Sequence, residues 1–234
     1  KFSYVVIAAK GYKKVKSAEI AKISEDKKDL GQIENINCDC ICVSGFWTPT
    51  IHLASQSGNK TKFNKEIDAF VPSQPKQKET TIGSANGVFT LEETLKTSFE
   101  AGYELSKKIT NNDNKISVSQ VVEKKSTQHD KFWCVPLPKG KKYKRFLDFQ
   151  NDVAVTDIEL ALREGYRSIE HVKRYTTLGM ATDQGKTSNL NGLQLVSSIE
   201  NKIVPEVGHT TFRPPYTPVT IGAIVGREVG KHSK

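Results

Sequence analysis

Long apolar runs are missing from this sequence, and so is a leader of the kind that directs export. No hydrophobic stretch approaches the roughly 18 residues that a membrane helix needs. Lys1–Ile7 resembles a strand rather than a charged segment followed by an apolar core. We therefore expect neither a membrane span nor secretion. The sequence starts at Lys1 and its one methionine is Met180, so we expect it to be part of a longer chain.

Cysteine is also scarce, with four in 234 residues. Cys38, Cys40 and Cys42 alternate, which predicts a strand that carries three thiols on one face. A zinc site normally adds a second cysteine pair elsewhere, and only Cys134 remains for it. We therefore expect buried, reduced thiols in a cytoplasmic protein, and no metal site.

Residue patterns typical of hydrolytic or metal chemistry are missing as well. His52, His129, His171 and His209 have no second ligand three or four residues away that would complete a metal site. No Ser–His–Asp arrangement and no paired carboxylates stand out. We expect no catalytic residue in this chain.

The net charge of +9 comes almost wholly from lysines in loop-like stretches. Nucleic-acid binders usually concentrate arginine and aromatic residues on one face. We therefore expect a solvated basic surface and no nucleic-acid partner.

The first half of the chain has the pattern of an α/β fold. A turn at Lys10–Gly11 predicts a hairpin, and Thr90 followed by Glu92 and Glu93 predicts a capped helix. The predicted strands are Phe2–Ala8, Lys14–Ile23, Cys38–Val43 and Thr80–Ala85, with a polar loop over Asp29–Asn37 and irregular chain over Asn59–Gln77.

Two glycine-containing turns are candidates for ligand contact. Gly83–Gly87 precedes the long helix, and glycines there allow a ligand to approach the backbone near a helix N-terminus. Gly45–Pro49 follows a predicted buried strand, at the end where α/β sheets bind ligands. Trp47 is equally compatible with simple core packing. The G-x-G-x-x-G fingerprint is absent, so a phosphate-binding turn would have to precede Lys1.

The second half predicts a small helical module. Its helices are expected at Thr156–Glu164, Ser168–Tyr175 and Asn189–Ile199. Prolines make the tail after residue 205 extended. We expect the boundaries of the chain's parts at 1–110, 111–145, 146–205 and 206–234, the second being a connecting segment.

Several segments in order resemble the alpha subunit of heterotetrameric sarcosine oxidase. The resemblance implies an α/β part, a partial dinucleotide-binding domain of the pyridine-nucleotide-disulfide oxidoreductase type, followed by a small all-α module like bacterioferritin-associated ferredoxin. The segments that carry it are Cys42–Leu53, Asp68–Pro72, Gly83–Gly87, Phe149–Val153, Arg163–Thr176, Gly179–Lys186 and Thr211–Pro218.

The resemblance also implies an activity. Complexes of this family oxidise sarcosine to glycine with oxygen, giving hydrogen peroxide and, with tetrahydrofolate, methylenetetrahydrofolate. The family has NAD in the alpha subunit, FAD in the beta subunit and FMN near their interface, with gamma and delta subunits as further partners. Residues 206–234 would lead towards a folate-binding aminomethyltransferase domain that this sequence does not include.

The family's NAD contacts are carried over to the two glycine-containing turns. One departure is Phe46, which stands where the family usually has a second glycine before the tryptophan, and a side chain there would strain or block the approach of a cofactor. The residues implied are Ser84, Phe89 and Leu91, with Gly83, Ala85 and Gly87 shaping one turn and Gly45 and Trp47 in the other.

The module from Phe146 to about Asn191 is similar to a [2Fe–2S] domain that has lost its ligands. The four cysteine positions of that domain fall on Asp148, Gln150, Asp183 and Ser188. Iron–sulfur clusters need thiolates, so the resemblance implies a module without a cluster. Two alternatives stay open: the alpha subunit of a related amine or opine dehydrogenase, and a scaffold module whose nucleotide site no longer binds.

Overall fold

The computed structural model describes residues 1–45, 47–110, 121 and 132–227. Phe46 and much of the predicted connecting segment lie outside the described residues. None of the helices within the described ranges is long and apolar enough to cross a membrane.

An antiparallel three-stranded sheet opens the chain. Its strands are β1 (Tyr4–Gly11), β2 (Val15–Ile23) and β3 (Leu30–Asn37), in the order β1–β2–β3. The central strand β2 buries Ala18, Ile20 and Ala21. The predicted hairpin of the first two strands is therefore confirmed.

A second, two-stranded hairpin follows a short helix. Helix α1 (His52–Gln56) precedes β4 (Thr61–Asn64) and β5 (Ala69–Pro72). Phe63 and Phe70 meet edge to face, with ring centroids 5.2 Å apart, and both pack against the core of the helical module. This hairpin therefore joins the two halves of the chain.

A 3-10 turn at Gly83–Asn86 leads into α2 (Leu91–Thr110). The Thr90 hydroxyl accepts a hydrogen bond from the backbone N–H of Glu93 at 3.4 Å, as expected of an N-cap. No residue of α2 is buried, although its sequence is amphipathic.

The helical module holds the largest core. It contains the hairpin of β6 (Phe146–Asp148) and β7 (Val153–Ala154), and the helices α3 (Val155–Arg163), α4 (Ile169–Thr176) and α5 (Asn189–Glu200). Ile158, Val172 and Val196 are almost completely buried between these helices. The three predicted helices are confirmed, and the predicted class, an α/β part followed by a small helical module, agrees with this architecture.

The tail is extended only in part. Short helices α6 (Val204–Val207) and α7 (Ile221–Val225) flank a stretch that has a cis peptide bond between Pro214 and Pro215. Between these two helices, Thr210 is buried and the Phe212 ring contacts His52 in the first half of the chain.

Four predicted elements are wrong. The polar segment Asp29–Asn37 is a strand from Leu30 onward, because hydrogen bonds to β2 outweigh the low strand propensity of its asparagines. Asn59–Gln77 likewise forms the β4–β5 hairpin rather than irregular chain. Thr80–Ala85 is not a strand, since Gly83 adopts a left-handed backbone (φ +62°) and starts a 3-10 turn.

The fourth error is the buried strand over Cys38–Val43. Its last sheet-like contact is the bond from the Cys38 N–H to the Lys16 carbonyl, after which the described part of the chain offers no neighbouring strand. Cys40, Cys42 and Val43 are exposed rather than buried. An apolar run becomes a buried strand only where other chain segments cover it.

Candidate functional site

Side chains of neighbouring residues pack closely against the backbone of the turn at Gly83–Gly87. Gly87 has φ +82°, and a methyl group on it would lie 2.7 Å from Ile67 Cδ1 and 3.0 Å from Val71 Cγ1. The same position would be 3.7 Å from Pro49 Cγ. The turn therefore packs against β5 and against the end of the second predicted ligand segment.

The side chains predicted to contact NAD lie on the surface around this turn. Ser84 is exposed, and Phe89 and Leu91 are 37% and 54% exposed. Gly83 is buried and Ala85 is half-buried, which fits a role in shaping the turn.

Gly45 is exposed, and Trp47 is 80% exposed, which excludes core packing for that tryptophan. The structure joins the two turns through Pro49 and Gly87 but leaves Trp47 in solvent. Because no strand precedes Gly45, the expected position at the end of a buried strand is wrong.

The four positions aligned with cluster cysteines do come together. Asp148 is 3% exposed, and its Oδ1 accepts hydrogen bonds from the backbone N–H groups of Gln150 (2.9 Å) and Asn151 (3.2 Å). Its Oδ2 accepts from the N–H of Gly179 at 2.9 Å and lies 3.5 Å from the hydroxyl of the buried Ser188. The Asp148 carboxylate thus joins three separate parts of the module.

The other two positions, Gln150 and Asp183, form a second group of hydrogen bonds. Asp183 accepts from the N–H of Gly185 at 3.0 Å and from the hydroxyl of Thr187 at 2.6 Å. Gln150 Oε1 accepts from the Thr182 hydroxyl at 2.8 Å. Burial disfavours the charge on Asp183, but the hydrogen bonds from Thr187 and Gly185 outweigh it and lower the pKa of its carboxyl.

These polar groups satisfy one another where the cysteines of a cluster domain would bind iron. Within the described ranges no group of three or more His, Cys, Asp or Glu side chains could hold a metal ion. The donor set itself has no thiolate, so it does not fit a [2Fe–2S] cluster.

A small cavity lies where the two halves of the chain meet. It has a volume of about 80 Å³. His52 is buried in its wall, with its ring centroid 3.8 Å from that of Phe212, and its Nε2 lies 3.2 Å from the Gln184 carbonyl oxygen. Because a carbonyl only accepts, Nε2 carries the proton and donates.

Burial lowers the pKa of His52, although the hydrogen bond to the Gln184 carbonyl opposes this effect. The spacing of the histidines predicts no metal site at His52, and it does not reveal this contact with the Gln184 carbonyl. Gln184 is 132 residues away in the chain and Phe212 is farther still, which is beyond the reach of any spacing rule.

Asn189 closes the other side of the cavity. Its Nδ2 donates to Thr210 Oγ1 at 3.1 Å, and its amide lies so close to Gly179 and Gly185 that a methyl group on either glycine would overlap it. Neither His52 Nδ1 nor Asn189 Oδ1 has a hydrogen-bond partner among the described residues. Asn189 was expected only as the first residue of a predicted helix, and His52 only as a residue of a segment that resembles the family.

A solved structure shares the fold of this chain. The chain matches a crystal structure of L-proline dehydrogenase from P. horikoshii with a TM-score of 0.65 at 19% identity. The match covers 94% of this chain and 44% of that one. At this identity it establishes the fold alone, an α/β part with small sheets followed by a helical module.

Sequence relatives are more specific. A sarcosine oxidase alpha subunit from Rhizobium meliloti (strain 1021) is 36% identical over 229 residues, and those from Corynebacterium sp. strains P-1 and U-96 are each 32% identical over 219 and 231 residues. The matches cover 97%, 91% and 92% of this chain. Residues 142–227 also match the model of the Sarcosine oxidase A3 domain.

The predicted resemblance is therefore confirmed: this chain is a relative of one segment of the sarcosine oxidase alpha subunits. It spans only 22–23% of the length of those relatives. Each of those relatives is named as a subunit of sarcosine oxidase.

Proposed function

We propose that this chain is part of the alpha subunit of a sarcosine oxidase complex. The observation that carries the proposal is the identity of 32–36% to three such subunits over at least 91% of the chain. The polar network around Asp148 supports it against the dehydrogenase alternative, because a cluster-bearing module would need four thiolates at those positions.

In this proposal the complex oxidises the CH–NH bond of sarcosine with oxygen, giving glycine and hydrogen peroxide, and forms methylenetetrahydrofolate when tetrahydrofolate is present. Amine oxidation occurs at FAD in the beta subunit, and electrons pass to FMN near the interface. Gamma and delta subunits complete a cytoplasmic heterotetramer. No residue of this chain has a catalytic role.

We assign the parts of the chain accordingly. Residues 1–110 form the C-terminal part of the NAD-binding domain, and 111–145 connect it to the cluster-less module at 146–205. Residues 206–234 lead to the folate-binding domain. The module then has a structural role, and electrons do not pass through it.

NAD is assigned to the surface around the turn at Gly83–Gly87. The exposed Ser84 hydroxyl can bond a ribose hydroxyl, and Phe89 and Leu91 offer apolar contact to a base. Between Gly83 and Leu95 the chain has two glutamates and no lysine or arginine, so backbone N–H groups of the turn or residues elsewhere would bind the phosphates. When bound, NAD supplies a ring that can accept a hydride.

The test of the reaction uses the complete subunit with its proposed partners. We expect the purified complex to consume oxygen and release hydrogen peroxide when sarcosine is added. A complex that reduces an artificial electron acceptor with another secondary amine, and does not use oxygen, would support the dehydrogenase alternative instead.

The scaffold alternative rests on Phe46, which stands where the family usually has a second glycine, and on the absence of a G-x-G-x-x-G fingerprint from this sequence. Titrating NAD into the complete subunit separates the two ideas: a dissociation constant below about 1 mM excludes a scaffold without nucleotide binding. We expect Ser84→Ala to weaken binding by about threefold to tenfold. Ser106→Ala, at the other end of α2, is the matched control and leaves the affinity unchanged.

A further inference from the structure

Two of the four cysteines lie side by side on the surface of the chain. Cys40 and Cys42 are both exposed, and their Sγ atoms are 4.0 Å apart. Cys38 and Cys134 are half-buried, and Cys134 Sγ accepts a hydrogen bond from Arg145 Nη1 at 3.2 Å. Cys40 and Cys42 are therefore the pair in which exposure is combined with a second thiol nearby.

Backbone hydrogen bonds do not fix the segment that carries this pair. The last one before it runs from the Cys38 N–H to the Lys16 carbonyl at 3.1 Å, and within the described ranges residues 39–45 form none. A disulfide needs Cα atoms no more than about 7 Å apart and Sγ atoms about 2 Å apart. Residues separated by one other residue lie within that Cα distance even in extended chain. Rotation of the two side chains and a slight bend around Ile41 can therefore close the remaining gap between the sulfur atoms.

The same pair has too few neighbours to hold a metal ion. In the part of the chain that the structure describes, no third His, Cys, Asp or Glu side chain joins the two thiols in a group that could bind one. A structural zinc ion, by comparison, has four protein ligands. Two adjacent thiols without a third ligand favour redox chemistry, in which the two sulfur atoms bond to each other.

We propose that Cys40 and Cys42 form a reversible disulfide when the subunit meets hydrogen peroxide. One thiolate sulfur attacks a peroxide oxygen, the O–O bond breaks and hydroxide leaves, so that a sulfenic acid is formed. The second thiolate attacks that sulfur, the S–S bond forms, and the S–O bond breaks with loss of a second hydroxide. The two protons released by the thiols convert both hydroxides to water. The two thiols together lose two electrons, and one peroxide molecule is reduced to two water molecules.

Hydrogen peroxide is also a product of the proposed reaction. The source of the oxidant therefore rests on the proposed function, whereas the site itself depends only on the two thiols. Exposed disulfides are readily reduced by thiol–disulfide exchange. The pair is thus reduced at rest, is oxidised while peroxide accumulates, and returns to two thiols when a dithiol reductant is present.

The experiment treats the reduced full-length subunit with about one equivalent of hydrogen peroxide, blocks the remaining thiols with a maleimide and analyses the tryptic peptides by mass spectrometry. We expect the peptide that contains Cys40 and Cys42 to become lighter by two hydrogen atoms, at least about tenfold faster than the Cys134 thiol is lost. A dithiol reductant should restore both thiols. Because the peroxide is added, this result does not depend on whether the complex oxidises sarcosine.

Two matched variants test the pairing, and thermal unfolding verifies that each is folded. Cys42→Ser removes the second thiol, so Cys40 should stop at a sulfenic acid that dimedone traps, whereas Cys38→Ser should form the disulfide at the parent's rate. The assigned pair is wrong if Cys38→Ser abolishes the disulfide, if Cys42→Ser still forms one at the parent's rate, or if Cys40 and Cys42 react no faster than Cys134. Addition of oxygen atoms to either sulfur of the parent subunit without a disulfide would mean unselective oxidation and would also overturn the proposal.

Discussion

At the scale of single residues, the Asp148 carboxylate occupies one of the positions where a cluster domain has a thiolate ligand. Both carboxylate oxygens accept backbone N–H groups, at Gln150 and Asn151 on one side and at Gly179 on the other. A cluster holds such segments together through iron, and here one carboxylate holds them through hydrogen bonds. Charged acceptors contribute more than neutral ones, particularly when they are buried.

We expect Asp148→Asn to destabilise the module by about 2–3 kcal/mol. The amide places N–H donors where the carboxylate had an acceptor, so a backbone N–H loses its partner. Urea denaturation measures the effect. Asp152→Asn is the control: Asp152 is exposed at φ +53°, a conformation that asparagine tolerates. If Asp148→Asn and Asp152→Asn leave the chain equally stable, the Asp148 carboxylate does not hold the module together.

His52 predicts a pH dependence of stability. Its folded-state pKa is lowered by burial, below an unfolded value of about 6.5. Protonation therefore favours the unfolded chain, and the stability present above about pH 6.5 is lost as the pH falls through the folded pKa. Thermal unfolding measures this at about pH 7.5 and about pH 5. Between these two pH values the Tm of His52→Phe should decrease less than the Tm of the parent chain.

His171, exposed on α4, provides the comparison for that experiment. His171→Gln should keep the parent's pH dependence. If His52→Phe has the same pH dependence as the parent, other groups control the acid stability of the chain.

At the scale of elements, the turn at Gly83–Gly87 and the helix that follows allow a matched pair of glycine substitutions. Gly87→Ala puts a methyl group 2.7 Å from Ile67 in a left-handed conformation, so we expect a loss of about 1–3 kcal/mol. Gly102→Ala on α2 meets nothing within 4 Å and should stabilise by up to about 1 kcal/mol. Denaturant unfolding of both variants distinguishes local strain from a general effect of adding a methyl group.

The helical elements could be predicted because each carries its own signals. Ser168 and Thr90 precede helices, and apolar residues recur at helical spacing within α3 and α5. The positions of Asp148 and Ser188 could be predicted as neighbours only through the family resemblance, since 40 residues separate them.

The strands were harder to predict from the sequence, because the stability of a strand depends on neighbouring strands that the local sequence does not specify. β3 is rich in polar residues and still pairs with β2, while the more apolar Cys38–Val43 forms no strand within the described residues and makes its last sheet-like contact at Cys38. Strand propensity reflects packing against adjacent strands more than an intrinsic backbone preference. The same reason explains why the contacts of His52 with Gln184 and Phe212 were missed.

At the scale of the whole molecule, apolar surface remains uncovered in the first half. Leu95, Leu105 and Ile109 on α2 are exposed, and so are Val43 and the thiols of Cys40 and Cys42. The relatives are more than four times longer and are named as subunits. We therefore expect that assembly of the proposed complex covers this surface.

Thiol labelling tests that expectation directly. Cys40 and Cys42 should react rapidly with a maleimide in the 234-residue chain and at least about tenfold more slowly in the assembled complex, because a thiol reacts only when solvent reaches it. Cys134 is the internal control: it is half-buried, burial raises the pKa of its thiol against the effect of Arg145, and it should react slowly in both states. Mass spectrometry of the labelled peptides separates the three sites. Equal labelling of Cys40 and Cys42 in the chain and in the complex would place this segment on the outer surface of the assembly, and the apolar surface covered on assembly would then have to be another one, such as that of α2.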